Sequence, residues 1–244
     1  MNARKKLIAK LVMPKTESDY KNLWDMNPVW EALTPMERDY ISQHVQTCRY
    51  RKNEVIHHEG DEPTHMMMLI EGKLRVYKEG VGNKIQIIRM LKPFDLFAFR
   101  ALIAGETYNT SVSAFEPAVV MKIEKAAFLK IIQQNNQFCY RFMIEMARDL
   151  GRSDAKMVSL TQKHIRGRLA EALLNLKENY GLDADGATLS MYMSREDLAN
   201  LSNMTTANAI RTLSQFQQEG MVSIDGRKIK LLNESDLLKT SLIG

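Results

Sequence analysis

The sequence predicts an α+β protein in three parts: an N-terminal antiparallel β-roll, one long helix, and a C-terminal pair of short helices closed by a β-hairpin. Three observations carry that prediction. Between Glu54 and Ile123 short apolar stretches alternate with turn residues. Beyond Glu124 the apolar period lengthens from that of a strand to that of a helix. After Gly186 two capped helical patterns precede an Asp225-Gly226 turn. The predicted boundaries are a basic leader over 1–26, the roll over 27–135, the long helix over 136–164 and the C-terminal domain over 165–244.

Composition sets the frame. With 244 residues, 45% hydrophobic and 26% charged, the chain has enough apolar mass for one large core or two modest ones. No apolar run approaches the roughly 20 residues of a membrane span. The leader's apolar stretch of Leu7, Ile8, Leu11 and Val12 is broken by Lys10 and has no small-residue cleavage site, so a cytoplasmic protein is expected. The two cysteines, Cys48 and Cys139, form no CxxC unit and read as buried thiols. Net charge is +5, but Arg4, Lys5, Lys6, Lys10 and Lys15 account for all of it, so bulk charge is no argument for nucleic acid.

Within the roll domain Asn27-Pro28 and Thr34-Pro35 are each followed by helix-like sequence; Thr34 has the chemistry of an N-cap, Pro35 suits the first helical position and Glu37 completes a capping box. Strand-like runs follow over Glu54–His58, Met66–Ile70, Lys73–Lys78, Lys84–Leu91, Ser111–Phe115 and Val119–Ile123. Gly60-Asp61, Glu71-Gly72, Gly80, Gly82, Lys92-Pro93 and Pro117 punctuate them, the spacing of a compact antiparallel barrel or roll. Met66-Met67-Met68 reads as core filling.

Phe128, Ile131 and Ile132 mark a short helix that breaks at Asn135-Asn136, and a longer one runs from Gln137 to His164. On it Phe142, Met146, Leu150, Met157 and Leu160 share one face with Cys139, Ser153 and His164, while Tyr140, Ile144 and Ala147 form a second stripe toward the roll. The first stripe needs a partner: a second copy of the chain, or this chain's own domain. Another amphipathic helix follows over Arg166–Tyr180.

The C-terminal pattern points to function. Ser194 caps a helix whose first turn is Arg195-Glu196-Asp197 and whose buried side is Leu198, Ala199 and Leu201. Asn203 tolerates positive φ and suits a tight turn. Thr205 caps a second helix to about Glu219, with Ala209, Ile210, Leu213 and Phe216 predicted inward and Thr206, Asn208, Arg211, Thr212 and Gln215 outward. A solvated helix normally mixes Lys and Glu; this outer face of hydrogen-bonding groups without acids suits base edges and phosphates. Gly220 stops the helix, and a hairpin with a type I′ signal at Asp225-Gly226 carries Arg227, Lys228 and Lys230 where a phosphate would lie. Capped helix, left-handed turn, acid-free helix and basic wing in this order predict a winged helix-turn-helix that binds double-stranded DNA, with Ser194, Arg195, Thr205, Thr206, Asn208, Arg211, Arg227, Lys228 and Lys230 as the expected DNA-binding residues.

These stretches together resemble the Crp/Fnr family of transcription regulators. The resemblance runs from Asn27 to Leu232 and rests on Gly60-Asp61, Leu69-Ile70-Glu71-Gly72-Lys73-Leu74, Met146-Ala147-Arg148-Asp149-Leu150, Arg166-Gly167-Arg168-Leu169-Ala170 and the gap-free match of Met193 to Val222. It implies a cyclic-nucleotide-binding-like jelly roll, a homodimer with a palindromic operator, and contact with RNA polymerase if the protein is an activator. The departures matter as much. Where cAMP-binding members carry Gly-Glu and Arg-Ser, this chain has Ala98-Phe99 and Asn109-Thr110. The groups that pair with phosphate and ribose are gone, so a cyclic nucleotide is not the expected effector. No cysteine cluster precedes Cys48 for an iron–sulfur centre, and His44, His57, His58, His65 and His164 lack a spacing that singles out haem. An effector would be sought beside Phe97, Phe99, Arg100, Asn109, Thr110, Ser153 and Asp154, with Arg100 facing an anionic ligand or an acid of its own chain. In the second helix Arg211 matches the family's arginine, while Ala207 stands where its glutamate is usual.

Two readings therefore stand: an effector-gated regulator, and a degenerate sensor that binds DNA without ligand. An enzyme is not expected, because no G-x-S-x-G, P-loop or H-E-x-x-H motif occurs and His57, Glu59 and His65 lack metal-site spacing.

Overall fold

The computed structural model describes Trp24 and residues 27–80 and 84–243. The leader, Trp24 apart, and Gly82 lie outside the described residues. The chain gathers into two compact units, with divisions between Lys78 and Glu79, Ile88 and Arg89, and Leu150 and Gly151.

In the first unit, helix α1 (Pro35–Ser42) starts on the capping box of Thr34 and Glu37 read from the sequence. Strands β1 (Val45–Tyr50), β2 (Val55–His57), β3 (His65–Glu71), β4 (Leu74–Glu79) and β6 (Leu96–Phe97) follow, while β5 (Ile85–Leu91) is divided between the two units after Ile88. After helix α2 (Phe99–Ala104) come β7 (Ser111–Ala114) and β8 (Ala118–Glu124). They form two four-stranded sheets of order β1-β8-β3-β6 and β2-β7-β4-β5. The recorded ladders are antiparallel, as expected of a roll.

Strand β3 explains why the methionines do not alternate with polar residues: both of its faces are buried. Met67 and Leu69 join Leu74, Val76, Phe97, Val112 and Val120 in one core. Met66, Met68 and Ile70 turn to a second core built with Trp30, Phe99, Phe128 and Phe142. Gly72 makes the next turn at φ +87, where a Cβ would sit 2.3 Å from the Pro117 carbonyl oxygen.

Helices α3 (Lys125–Gln134) and α4 (Asn136–Gln162) meet at Asn135, the break the sequence predicts. The Asn135 side chain accepts from Phe138 N–H at 2.9 Å, donates to the Ala32 carbonyl at 2.9 Å, and so ties the start of α4 to the roll. Here the predicted faces of α4 are exchanged in its first half. Phe142 is 1% exposed and stacks edge-on with Phe99, Phe128 and Phe138 at centroid distances of 5.3, 5.2 and 5.0 Å. Met146 packs against the same core. These two residues, expected at an interface between copies, belong to the roll's own interior. Aromatic edge contacts of this kind add about 0.5–1.5 kcal/mol each beyond area burial. Tyr140 and Ala147, expected against the roll, are exposed instead.

The second unit contains α5 (Ile165–Tyr180), α6 (Arg195–Leu201), α7 (Thr206–Gln218), β9 (Val222–Asp225), β10 (Lys228–Leu231) and α8 (Glu234–Ile243). Leu169, Leu173, Leu198, Ala199, Ala209, Leu213 and Phe216 fill its core. Helix α8, beyond the last element read from the sequence, buries Leu237 and pairs Glu234 with Lys177 of α5. None of the described helices is long and apolar enough to cross a membrane.

Candidate nucleic-acid interface

The short helices are held as capping chemistry demands. Ser194 Oγ accepts from Asp197 N–H at 3.0 Å and donates to its carboxylate at 2.6 Å, closing a capping box on α6. Thr205 Oγ1 accepts from Asn208 N–H at 3.2 Å at the start of α7. Between them Asn203 takes φ 50, the left-handed residue the sequence anticipates. Ala199 is fully buried, and its carbonyl accepts from Met204 N–H at 3.0 Å.

Consecutive carbonyls at the end of α6 and in the turn are gripped by side chains of this unit. Gln86 donates to Asn200 O at 2.9 Å, Lys156 to Leu201 O at 3.0 Å, and Arg168 to Ser202 O at 3.1 Å and Asn203 O at 2.9 Å. Cations at a helix C-terminus satisfy orphan carbonyls and oppose the helix dipole. Burial pushes the Lys156 ammonium below its usual pKa, and nearby Arg168 adds to this against Glu171. The reading of the sequence missed these residues; their only signal is a basic residue facing a helix end in space, which spacing cannot show.

Two residues of α7 change sides. Thr212 is 3% exposed and belongs to the inner face with Ala209, Leu213 and Phe216, an i, i+3, i+4, i+7 set. Ile210, expected inside, is 48% exposed. The outward surface consists of Thr206, Ala207, Ile210, Arg211, Ser214, Gln215, Gln217 and Gln218, with Asn208 half-buried at its margin. It contains no acid before Glu219, which pairs with Arg166.

The wing is the expected two-stranded hairpin, and an isolated bridge of Thr188 to Lys230 lays a short segment against β10, with Leu189 N–H donating to Ile229 O and Leu231 N–H to Ala187 O, each at 2.9 Å. Its tight turn is Gly226-Arg227, since Asp225 pairs with Lys228. Positive φ occurs at Gly226 (φ 55) and not at Arg227, so the predicted type I′ turn is replaced by the φ pattern of type II′, with glycine at the first central position. Arg227, Lys228 and Lys230 are exposed. Lys230 lies 3.4 Å from Asp185, and Lys228 sits over the Tyr192 ring at 5.9 Å. Asp185 is held well below the usual carboxylate range, chiefly by hydrogen bonds from the Thr188 and Ala187 N–H groups. Arg195 has a role the sequence did not show: its Nη2 donates to Gly226 O at 2.8 Å, pinning the wing's turn to the start of α6. Ser194 is likewise occupied as a cap.

Comparison with known proteins agrees with this order of parts. A cyclic nucleotide-binding domain model matches residues 47–135 and a Crp-like helix-turn-helix domain model matches residues 167–240, between them more than half of the chain. The chain belongs to the Crp/Fnr family of transcription regulators. Its relatives include the transcriptional activatory protein AadR of Rhodopseudomonas palustris, 24% identical over 82% of this chain and 83% of AadR. Another is the cyclic AMP receptor protein of Thermus thermophilus, 23% identical over 85% of this chain and 96% of that protein. The structure of FixK2 from Bradyrhizobium japonicum shares the fold at a TM-score of 0.73, with 23% identity, 80% of this chain and 96% of that one covered.

Membership of the Crp/Fnr family raises the question of a cyclic nucleotide, and the roll's residues do not fit one. Phe97 and Phe99 are 1% and 4% exposed and are consumed by the two cores, so neither lines an open site. Arg100, the cation nearest the altered cassette, is exposed and pairs with Glu106 at 2.9 Å, its own chain's acid. Asn109 is exposed and Thr110 half-buried; both are neutral. Ser153 and Asp154 are exposed on α4. Among the described residues no cluster of three or more His, Cys, Asp or Glu could hold a metal ion.

Proposed function

We propose that this regulator binds a palindromic operator as a homodimer in the cytoplasm, and that an effector other than a cyclic nucleotide sets its DNA affinity. The observation that carries the reading is the outward face of α7: exposed Thr206, Ala207, Ile210 and Arg211 in its first turns, free of acids, beside a wing bearing Arg227, Lys228 and Lys230. In a winged helix-turn-helix the first turns of the second helix enter the major groove. Arg211 reads a guanine through two hydrogen bonds, and Asn208 and Thr206 bond neighbouring edges. Thr205 and the wing cations meet phosphates.

The dimer is supported by α4. Tyr140, Met143, Leu150, Met157 and Val158 are each about half exposed or more. Tyr140, Met143, Ala147 and Leu150 follow steps of three, four and three along one face, and Met157 lies one heptad beyond Leu150 with Val158 beside it, the pattern of a two-stranded helical seam. Leu160, half-buried, borders it. A homodimer of this class meets two half-sites one helical turn apart, roughly 34 Å. An activator of this kind also meets RNA polymerase.

Site selection from a random DNA pool tests the reading. Wild type selects an inverted repeat. Arg211→Ala flattens the preference at one base pair per half-site, about 1–3 kcal/mol of discrimination, whereas Lys228→Ala weakens all sequences alike and lowers the salt slope by about one unit. An unchanged motif with Arg211→Ala removes this arginine from base readout.

A second reading, a ligand-free sensor controlled by its own abundance, is favoured by the filled positions of Phe97 and Phe99 and the internal pairing of Arg100. Mass spectrometry of small molecules released from purified protein separates the two: a stoichiometric compound supports gating, and none supports the degenerate sensor.

A further inference from the structure

Ile210 is an apolar residue on a face that is otherwise almost wholly polar. It is 48% exposed, although Ala209, Thr212, Leu213 and Phe216 supply all the buried positions of α7. At roughly 100° per residue, Ala207 lies near the centre of the outward face, with Ile210 about 60° to one side and Arg211 about 40° to the other. Ser214, one turn further on, donates its hydroxyl to the Ile210 carbonyl at 3.0 Å, so its polar atom is turned to the helix backbone. Ala207, Ile210 and the Ser214 methylene therefore make one apolar strip beside the arginine.

A β-branched side chain in a helix is nearly fixed at χ1, so Ile210 presents its methyl groups in one place at little entropic cost. On the major-groove edges of the bases the apolar feature is the 5-methyl group of thymine. We infer that Ile210, with Ala207 beside it, reads a thymine methyl in each half-site, adjacent to the base pair met by Arg211. The inference rests on the DNA-reading function proposed above and names the base class that the strip selects.

Replacing single thymines by deoxyuridine in the selected duplex removes the methyl and nothing else. Binding of the full-length protein is followed by fluorescence anisotropy, one position at a time. At one thymine per half-site the substitution weakens wild type by about four-fold, the worth of one buried methyl. Ile210→Ala binds the thymine duplex more weakly and no longer distinguishes it from the deoxyuridine duplex at that position, while Ile210→Val retains most of the distinction. Circular dichroism confirms that the exposed-site variants keep the helix content of wild type. Wild type that is indifferent to deoxyuridine at every thymine overturns the inference while leaving DNA reading intact; so does Ile210→Ala retaining the full distinction. A wild type that selects no motif at all overturns instead the function on which the inference rests.

Discussion

The buried imidazole of His57 makes the roll's stability sensitive to mild acid. His57 is 7% exposed, stacks on Tyr108 at a centroid distance of 3.8 Å, and has a ring Nδ1 without a hydrogen-bond partner. Burial pushes its pKa from 6.5 down to about 4; Lys122 and the His58 ring add to this, against the His58 backbone and Asp61. The unfolded chain takes up the proton below pH 6.5, and the folded roll does not until about pH 4. Stability conferred by the neutral ring is therefore complete above pH 6.5 and is lost as pH falls toward 4. At pH 5 the unfolded state is favoured by about 1.5 pK units of proton binding, or about 2 kcal/mol. Both tryptophans, Trp24 and Trp30, lie in the roll's core, so intrinsic fluorescence reports that unit's unfolding. Urea titrations at pH 7.5 and pH 5 are expected to show this loss in wild type and to show most of it abolished in His57→Phe, which keeps a ring against Tyr108. His65 is also shifted down, by burial and then Lys122, but it is present in both proteins and cancels in the comparison. A variant that loses as much stability as wild type over this range refutes the buried neutral imidazole.

Leu150 and Met157 are each 64% exposed on α4, so Leu150→Glu and Met157→Glu leave the folded protomer undisturbed and place charge in the proposed seam. Light scattering is expected to show a dimer for wild type and monomers for both variants, with unchanged circular dichroism; dimeric variants remove this face from the interface. Gly72→Ala drives a Cβ into the Pro117 carbonyl at 2.3 Å on a backbone at φ +87, whereas Gly60→Ala at φ +89 meets nothing within 4 Å. The first is expected to cost about 2–4 kcal/mol and the second about 1–2 kcal/mol in urea unfolding; equal costs show that Gly72 is held by backbone conformation alone.

Much of the fold was legible because its signals are local. The capping pair Thr34–Glu37, the Ser194 cap, the left-handed Asn203 and the Asn135 break each depend on residues within one turn of chain. What escaped had weak local signals. Strand β1 carries Gln46, Thr47 and Arg49 and is only half-buried along its length, so it lacks the apolar run that marked its neighbours. Strand β6 is two residues long, and the turn into α2 uses a left-handed alanine, Ala98 at φ 66, where sequence offers no glycine to flag it.

Faces of helices were harder to read than the helices themselves, for one physical reason. Apolar spacing identifies a stripe but not the surface that the stripe meets. On α4 the large apolar residues occur all round the first half, so either stripe satisfied the period, and the aromatic cluster around Phe142 decided which one the roll took. On α7 hydrophobicity favoured Ile210 over Thr212 for the interior, yet the geometry of Ala209, Leu213 and Phe216 put Thr212 between them and left Ile210 outside. That exchange bears directly on function. A helix that buries a threonine and leaves an isoleucine 48% exposed forgoes part of the roughly 1.5–3 kcal/mol that full burial of a side chain of this size gives. Such an exposed residue regains part of that free energy where another apolar surface covers it, and in the DNA-bound state proposed above that surface is a thymine methyl, worth about 0.8 kcal/mol.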